Sequence, residues 1–296
     1  MRLHICFRFP LEAMLSRPSA ASDPFNKGLR TVSLKNGHHL MRLYIHIGTH
    51  KTGTTSIQAF LRKQADILGA AGIYVPTAGV LDEQSGHHNI GWGLRGEPRF
   101  DPVHGTLQDL IAELGQSTAD AAVISSEDFE YLVDNPAALL CLEQALAEAG
   151  HEPYYILFTR RADTYAVSLY GELRQHHGLT ARFRDFTAEI LRNGKFVMHH
   201  DWTFYLDIDA FARNWRRTAR GPLHICSYDA AVDGKGLLPT FLSLIGAPDQ
   251  VGQIGQNAEI LNIRRSADIG RMDRIIAGWR LRYRFRPKGV LAEQMP

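Results

Sequence analysis

The part of this sequence that restricts its fold most is a glycine-containing turn between a strand pattern and a helix pattern. Residues Arg42 to Ile47 are rich in β-formers, and the nine residues that follow read Gly-Thr-His-Lys-Thr-Gly-Thr-Thr-Ser. From Ile57 onward the apolar residues follow a helical spacing. Such a turn directs several backbone N–H groups at one point, at the positive end of a helix dipole. The segment therefore predicts an anion-binding loop.

Strand patterns alternate with helix patterns along the rest of the chain. Short apolar runs predict three further buried strands, at Ala121–Ile124, Tyr154–Phe158 and Leu223–Ser227. Helix patterns occur at Leu107–Leu114, at Pro136–Ala149, from about Asp163, and at Leu237–Ile245. This alternation predicts an α/β fold with an open, mainly parallel sheet and flanking helices, arranged as three α/β/α layers.

The length and local composition suggest how the chain is divided. The 296 residues are enough for one large core, and we expect one catalytic domain over residues 41–296. Residues 1–40 show no clear period, and we expect a disordered or non-native extension there. Two stretches, Gly86 to Gly105 and Asn193 to Asp209, predict loops or insertions over the active face.

The overall charge and the cysteines exclude several classes of protein. With 33 Lys and Arg against 31 Asp and Glu, the chain is nearly neutral, which argues against nucleic-acid binding. The three cysteines are odd in number and far apart, so they indicate neither a disulfide framework nor a metal site and favour a cytoplasmic protein. No apolar run approaches the ~20 residues of a membrane-spanning helix.

The loop differs from the usual nucleotide-triphosphate motif, GxxxxGK[ST]. Gly48 and Gly53 match its two glycines, but Thr54 occupies the position of its lysine. Lys51 lies two residues before the second glycine instead, where it can reach a group leaving the 5' end of a nucleotide. The alternative is that glycine and threonine only make a tight strand-to-helix turn.

The residues Lys51-Thr52-Gly53-Thr54-Thr55 after a strand resemble the 5'-phosphosulfate loop of sulfotransferases that use 3'-phosphoadenosine 5'-phosphosulfate (PAPS). The fold of that family is similar to that of the P-loop nucleotide kinases. The resemblance implies PAPS as co-substrate, with no metal. It also implies a set of binding residues around the loop: His50, Lys51, Thr52, Gly53, Thr54, Thr55 and Ser56.

A second signature lies more than a hundred residues later. Arg160 ends a predicted strand, and Ser168 follows eight residues on, in the first turns of the next helix. This resembles the family's 3'-phosphate site, in which a guanidinium and a hydroxyl hold one phosphate. A weaker match is the strand that ends before Tyr228 and Asp229. Together these features resemble a bacterial sulfotransferase of the carbohydrate type.

Sulfuryl transfer requires in-line geometry and charge stabilisation. The resemblance implies that Lys51 stabilises charge on the oxygen between phosphate and sulfur. Glu127, at the carboxyl end of a strand, is the first candidate for the base, and His88, next to His87, is its rival. The alternatives are that Glu127 caps a helix or pairs with an arginine, and that the histidines are structural.

Two further groups have possible roles in binding the acceptor. One is a sugar platform of His199, His200, Asp201, Trp202 and Tyr205, although Trp202, Tyr205 and Phe211 fit a plain helix core better. The other is a run of alternating basic and apolar residues from Arg280 to Lys288. It suits an anionic glycan or peripheral contact with a membrane surface, and equally a solvated edge.

The sequence thus favours a sulfotransferase that acts on a hydroxyl or amine of a carbohydrate-type acceptor, with a small-molecule acceptor less favoured. One alternative is a P-loop kinase of small metabolites, in which Asp128 binds a metal. Another is a catalytically inactive module that binds nucleotide and glycan.

Overall fold

The computed structural model describes residues 40–199 and 202–256. Five parallel strands form its main sheet, in the spatial order β2-β3-β1-β4-β7. A separate antiparallel hairpin consists of β5 and β6. The strands are β1 (Met41–His46), β2 (Ile73–Tyr74), β3 (Ala121–Ser125), β4 (His151–Thr159), β5 (Lys195–Met198), β6 (Trp202–Tyr205) and β7 (Leu223–Ser227).

Helices connect the strands and cover the sheet. They are α1 (Thr54–Lys63), α2 (Ala65–Ala70), α3 (His88–Arg95), α4 (Leu107–Gln116), α5 (Pro136–Glu148), α6 (Ala162–His176), α7 (Phe183–Asn193), α8 (Ile208–Thr218), α9 (Tyr228–Asp233), α10 (Leu237–Leu244) and α11 (Asp249–Gln256). Short 3-10 helices span Pro102–His104 and Glu127–Asp134. None of the described helices combines the length and the hydropathy of a membrane-spanning segment.

Both faces of the main sheet are buried, as expected for parallel strands covered by helices. On one face Leu43 and Ile45 of β1 pack in a cluster with Trp215 of α8 and with apolar residues of α4 and α5. On the other face Tyr44 packs in a cluster that includes Phe241 of α10 and apolar residues of α1. Successive side chains of β1 therefore point into two cores, one on each face of the sheet, and this gives the α/β/α layers. The predicted fold class is confirmed.

A third apolar cluster joins the hairpin to α6 and α7. Phe186 of α7 lies in contact with Phe196 of β5, with ring centroids 4.6 Å apart. Tyr165 and Leu169 of α6 and Phe204 of β6 belong to the same cluster. This cluster fixes the hairpin beside the helix that follows β4.

Two segments predicted as loops contain regular structure. The stretch from Gly86 to Gly105 includes α3, whose glycines allow close packing rather than a flexible turn. A Cβ on Gly91 would lie 3.1 Å from Asp128 Cβ, and one on Gly93 would lie 2.8 Å from the Phe100 ring. The stretch from Asn193 to Asp209 includes the β5–β6 hairpin and the start of α8. Its many aromatic residues reflect a buried strand pair.

A buried carboxylate anchors the amino end of β4. Glu143 of α5 accepts hydrogen bonds from Tyr155 Oη at 3.0 Å, Arg220 N at 2.8 Å and Gly221 N at 3.1 Å. The side chain thus ties α5, β4 and the turn before β7 together. The Tyr155 hydroxyl is buried and the Arg220 and Gly221 N–H groups are partly buried, so this carboxylate accepts from donors that are wholly or partly removed from solvent.

We expect Glu143→Ala to lower the free energy of unfolding by about 2–4 kcal/mol, because it removes the acceptor of the buried Tyr155 hydroxyl and of two partly buried N–H groups. Urea unfolding followed by circular dichroism measures the change. Glu148→Ala, at the exposed end of the same helix, is the matched control and should change the stability by about 0.5 kcal/mol or less. Equal effects of the two substitutions would contradict the anchoring role.

Candidate active site

The loop between β1 and α1 is held by its own hydroxyl groups and by left-handed backbone. Gly48, Lys51 and Gly53 have φ values of 90°, 61° and 80°. Thr52 Oγ1 donates to the Thr49 carbonyl at 2.6 Å, and Thr54 Oγ1 donates to the same carbonyl at 3.4 Å. The Thr52 and Thr54 hydroxyls are therefore engaged inside the loop. In the first turn of α1 the Ser56 N–H donates to the Gly53 carbonyl at 3.0 Å.

Gly53 packs closely against the elements that follow β7. A Cβ at this position would clash with Leu237 of α10 and would lie 3.1 Å from Cε2 of Tyr228. Its positive φ adds a second reason for glycine here. The loop thus lies directly against Tyr228, the first residue of α9.

Lys51 is held by a carboxylate that the sequence analysis did not single out. Lys51 Nζ donates to Glu172 Oε2 at 2.9 Å. Burial alone would raise the pKa of Glu172, but the hydrogen bond and charge of Lys51 outweigh it and lower that pKa. Glu172 lies one helical turn after Ser168 on α6, so the two side chains occupy the same face of that helix. The Lys51 ammonium therefore lies close to the helix face that carries Ser168.

Arg160 lies at the end of β4, next to the loop. Its guanidinium carbon is 5.3 Å from the centre of the Tyr228 ring, and its Nε is 3.5 Å from Asp229 Oδ1. That Nε is buried and has no hydrogen-bond partner among the described residues. Because Tyr228 contacts both Gly53 and Arg160, the two predicted phosphate sites lie on the same edge of the sheet. Ser168 is buried in the second turn of α6.

His50 forms an ion pair beneath the loop. Its backbone N–H donates to Glu130 Oε2 at 3.0 Å, and its Nδ1 lies 3.4 Å from the same oxygen. Burial would lower the pKa of His50, but Glu130, with smaller contributions from Glu127 and Asp128, raises it to about 9. His50 is therefore a cation at neutral pH, bound to protein rather than directed at a ligand.

The two candidate bases, Glu127 and His88, both lie near the Gln58 side chain. Glu127 Oε2 accepts a hydrogen bond from Gln58 Nε2 at 2.8 Å, and the Glu127 backbone packs against Gly48. His88 Nε2 and Gln58 Nε2 lie 2.5 Å and 2.6 Å from the point where a Cβ on Gly86 would be. Ser126, and not Glu127, caps the 3-10 helix that follows β3.

The neighbouring histidine is structural. His87 Nε2 lies 3.0 Å from the Pro76 carbonyl oxygen, and its Nδ1 accepts from Ser125 N at 3.2 Å. Burial lowers the pKa of His87 to about 4. Asn89 is structural as well, because its side chain bonds the backbone of Asp101 and Gly105. Of the two neighbouring histidines, only His88 remains a candidate base.

The described part of the proposed sugar platform packs against other aromatic and basic side chains, with Trp202 partly buried and His199 exposed. Trp202 stacks on Tyr131 with centroids 6.2 Å apart, lies 5.3 Å from the Arg99 guanidinium, and contacts His177 and His199 edge-on. Trp202 and Tyr205 belong to β6 rather than to a helix, so the expectation of a helix core was wrong for them.

Two other members of the aromatic group, Tyr205 and Phe211, are buried. Tyr205 also donates to Asp134 at 2.7 Å. Other predictions fall outside the described residues: His200, Asp201, the basic run from Arg280 to Lys288, and the extension before residue 40.

Several site residues gave no signal in the sequence. Gln58, Glu130 and Glu172 lie on helices. The sequence could have indicated them only through the helix face that each shares with a predicted site residue. Within residues 40–199 and 202–256, no group of three or more His, Cys, Asp or Glu side chains is arranged to hold a metal ion.

No family model matches the chain, and no curated protein matches it. Among solved structures, it is similar to a sulfotransferase from Alicyclobacillus acidocaldarius, with 14% identity over 79% of this chain and 91% of that one and a TM-score of 0.42. It is also similar to mouse sulfotransferase SULT7A1 complexed with PAP, with 13% identity, 80% and 64% coverage, and a TM-score of 0.34.

A third similar structure is a de novo designed protein with a P-loop NTPase fold, with 12% identity, 54% and 100% coverage, and a TM-score of 0.21. Similarities of this size carry no argument about activity.

The ion pair of His50 predicts a pH dependence of stability. The folded pKa of about 9 lies above the ordinary value of 6.5, so the stabilisation is complete below about pH 6.5 and is lost as the pH rises through 9. We expect the wild type to lose about 1–3 kcal/mol more than His50→Gln between pH 6.5 and 9.5, measured by urea unfolding. His104→Gln is the control and should follow the wild type. Parallel curves for wild type and His50→Gln would contradict the pair.

Proposed function

We propose that this protein is a PAPS-dependent sulfotransferase that transfers a sulfuryl group to a hydroxyl or amine of a carbohydrate-type acceptor. The observation that carries the proposal is the shared edge of the sheet: the Lys51 loop and Arg160 both contact Tyr228. The contact of Lys51 with Glu172, one turn from Ser168, links the same two clusters a second time. One nucleotide with phosphates at its 5' and 3' positions suits such an arrangement.

The residues present fit this co-substrate. Arg160 offers a buried charged donor without a hydrogen-bond partner, which a phosphate oxygen would satisfy. The first-turn N–H groups of α1, including those of Thr54 and Thr55, suit the 5' phosphate. Ser168 would complete the 3' site. His50 would contribute through the loop shape, since its own polar groups contact Glu130.

In the proposed reaction, the acceptor oxygen or nitrogen bonds to sulfur while the bond from sulfur to the 5'-phosphate oxygen breaks. The electron pair of the broken bond stays on that oxygen, where Lys51 stabilises the charge. The acceptor proton passes to a base, and the two candidates, Glu127 and His88, both lie near the Gln58 side chain. The products are the sulfated acceptor and 3'-phosphoadenosine 5'-phosphate (PAP).

The alternative of a small-metabolite kinase has less support. It requires Asp128 as a metal ligand, but the Asp128 carboxylate already contacts His88 at 3.0 Å and lies 3.6 Å from Arg99 and 3.7 Å from Arg95. Three basic side chains around one carboxylate oppose a bound cation. The carbohydrate acceptor itself is supported by the aromatic and histidine side chains around Trp202, which border the Asp128 region through Arg99.

We expect Arg160→Ala to weaken PAP binding about 10-fold to 100-fold, because it removes a charged donor to the 3' phosphate. Isothermal titration calorimetry with PAP and with AMP measures this, and the variant should lose the preference of the wild type for PAP. Arg213→Ala, on the exposed face of α8, is the control. Unchanged PAP affinity in Arg160→Ala would remove the assignment of the 3' site.

We expect Glu172→Gln to tighten PAP binding about threefold to tenfold. In the nucleotide-free protein Glu172 holds the Lys51 ammonium, and its negative charge also opposes an incoming phosphate. The same titration measures the effect, and Glu189→Gln on α7 serves as the matched control. Weaker binding in Glu172→Gln would show that the carboxylate supports the nucleotide site instead of competing with it.

A further inference from the structure

His88 and Asp128 form a buried pair beside the two phosphate-binding clusters. His88 Nδ1 lies 3.0 Å from Asp128 Oδ2 and 2.9 Å from Ser126 Oγ. Each of the two charged side chains is about one-tenth exposed. His88 opens α3, and Asp128 follows β3, so the pair joins two elements at the carboxyl edge of the sheet.

Other contacts fix the Asp128 carboxylate. The Asp128 backbone N–H donates to Ser126 Oγ at 3.1 Å. Its Oδ1 faces Arg99 and Arg95, at 3.6 Å and 3.7 Å, whereas its Oδ2 faces His88. Burial would raise the pKa of Asp128, but His88 and the nearby cations lower it. An ionised carboxylate is an acceptor only, so it selects an imidazole that carries its proton on Nδ1.

The other nitrogen of His88 is directed toward the proposed reaction site. Nε2 lies next to Gly86 and the Gln58 amide, and that amide donates to Glu127. Glu127 in turn packs against Gly48, where the phosphate loop begins. The Trp92 ring stacks on the imidazole, with centroids 6.0 Å and planes 23° apart. The imidazole is therefore held in one orientation.

We infer that Asp128 is a positioning residue that keeps the proton of neutral His88 on Nδ1, so that Nε2 is the general base for the acceptor. The inference rests on the proposed function. As the acceptor oxygen bonds to sulfur, its proton moves to Nε2, and the imidazolium that forms is stabilised by Asp128. The imidazolium returns its proton to solvent after the product leaves. Glu127, held by Gln58, adds a second negative charge nearby.

The charges around His88 set the pH at which this base works. Burial and the His50 cation oppose protonation, while Asp128 and Glu127 favour it, and the net effect raises the pKa of His88. Arg95 and Arg99 lie behind Asp128, and His87 is uncharged at neutral pH. Only the neutral imidazole accepts a proton, so the rate should rise with pH through this pKa.

The experiment combines nitrogen-15 NMR of the histidine rings with rate measurements. The His88 signals are assigned by their loss in His88→Gln, and their tautomer and pKa are followed in wild type, Asp128→Asn and the control Asp66→Asn. We expect the Nδ1–H tautomer in wild type and in the control. In Asp128→Asn we expect His88 to show a mixture of tautomers and a lower pKa. We also expect the rising part of the pH–rate profile to shift to lower pH and kcat to fall about 100-fold.

Several results would overturn the inference. These are a neutral His88 with its proton on Nε2 in the wild type, an Asp128→Asn variant with unchanged tautomer and pH profile, or a His88→Gln variant that keeps most of its turnover. If Glu127→Gln abolished turnover and His88→Gln did not, the general base would be Glu127 instead of His88. The tautomer of wild-type His88 is measured without any activity, and only one folded variant, His88→Gln, is needed to assign its signals. PAP titration tests the proposed function separately.

Discussion

The attachment of the loop between β1 and α1 to the end of β4 is the contact on which the arrangement of the site depends. The Phe158 N–H donates to the Gly48 carbonyl at 3.1 Å, and the Phe158 carbonyl accepts from Thr49 N and Thr49 Oγ1, both at 3.2 Å. Arg160 follows two residues later. The pairing of β1 with β4 thus continues into the loop, and it brings residues 109 positions apart in the chain to one edge of the sheet. Because β1 and β4 are parallel neighbours in the sheet, the residues that follow the two strands lie next to each other in the site.

Most cations of the site already have an acidic partner. Lys51 contacts Glu172, His50 contacts Glu130 and Arg160 contacts Asp229. Partly buried charges are costly to desolvate, and such pairs reduce that cost. This explains how a chain with a formal net charge of only +2 can concentrate cations on one face. It also explains why composition alone gave no indication of a local group of basic side chains.

The sequence predicted the parts of the structure that depend on local patterns. The strand, turn and helix around Lys51 were predictable because glycine spacing and helical periodicity are local, and so was the strand that ends at Arg160. Glu172 was not, because its contact with Lys51 spans 121 positions and exists only once α6 packs beside the loop. The glycines of α3 were misread as loop signals, since close packing on Asp128 and Phe100 requires the same residue type as a turn. The β5–β6 hairpin was missed because its aromatic content masked the alternation of two short strands.

The pairing of Lys51 with Glu172 has a consequence for selectivity among anions. A small ion such as sulfate or phosphate that enters the loop must separate Lys51 from Glu172. In return it gains contacts with the loop but none with Arg160. A ligand that reaches Arg160 as well gains a second charged contact, with a donor that has no hydrogen-bond partner among the described residues. Under the proposed function, the free protein would therefore favour molecules long enough to span both ends of the edge over abundant inorganic anions.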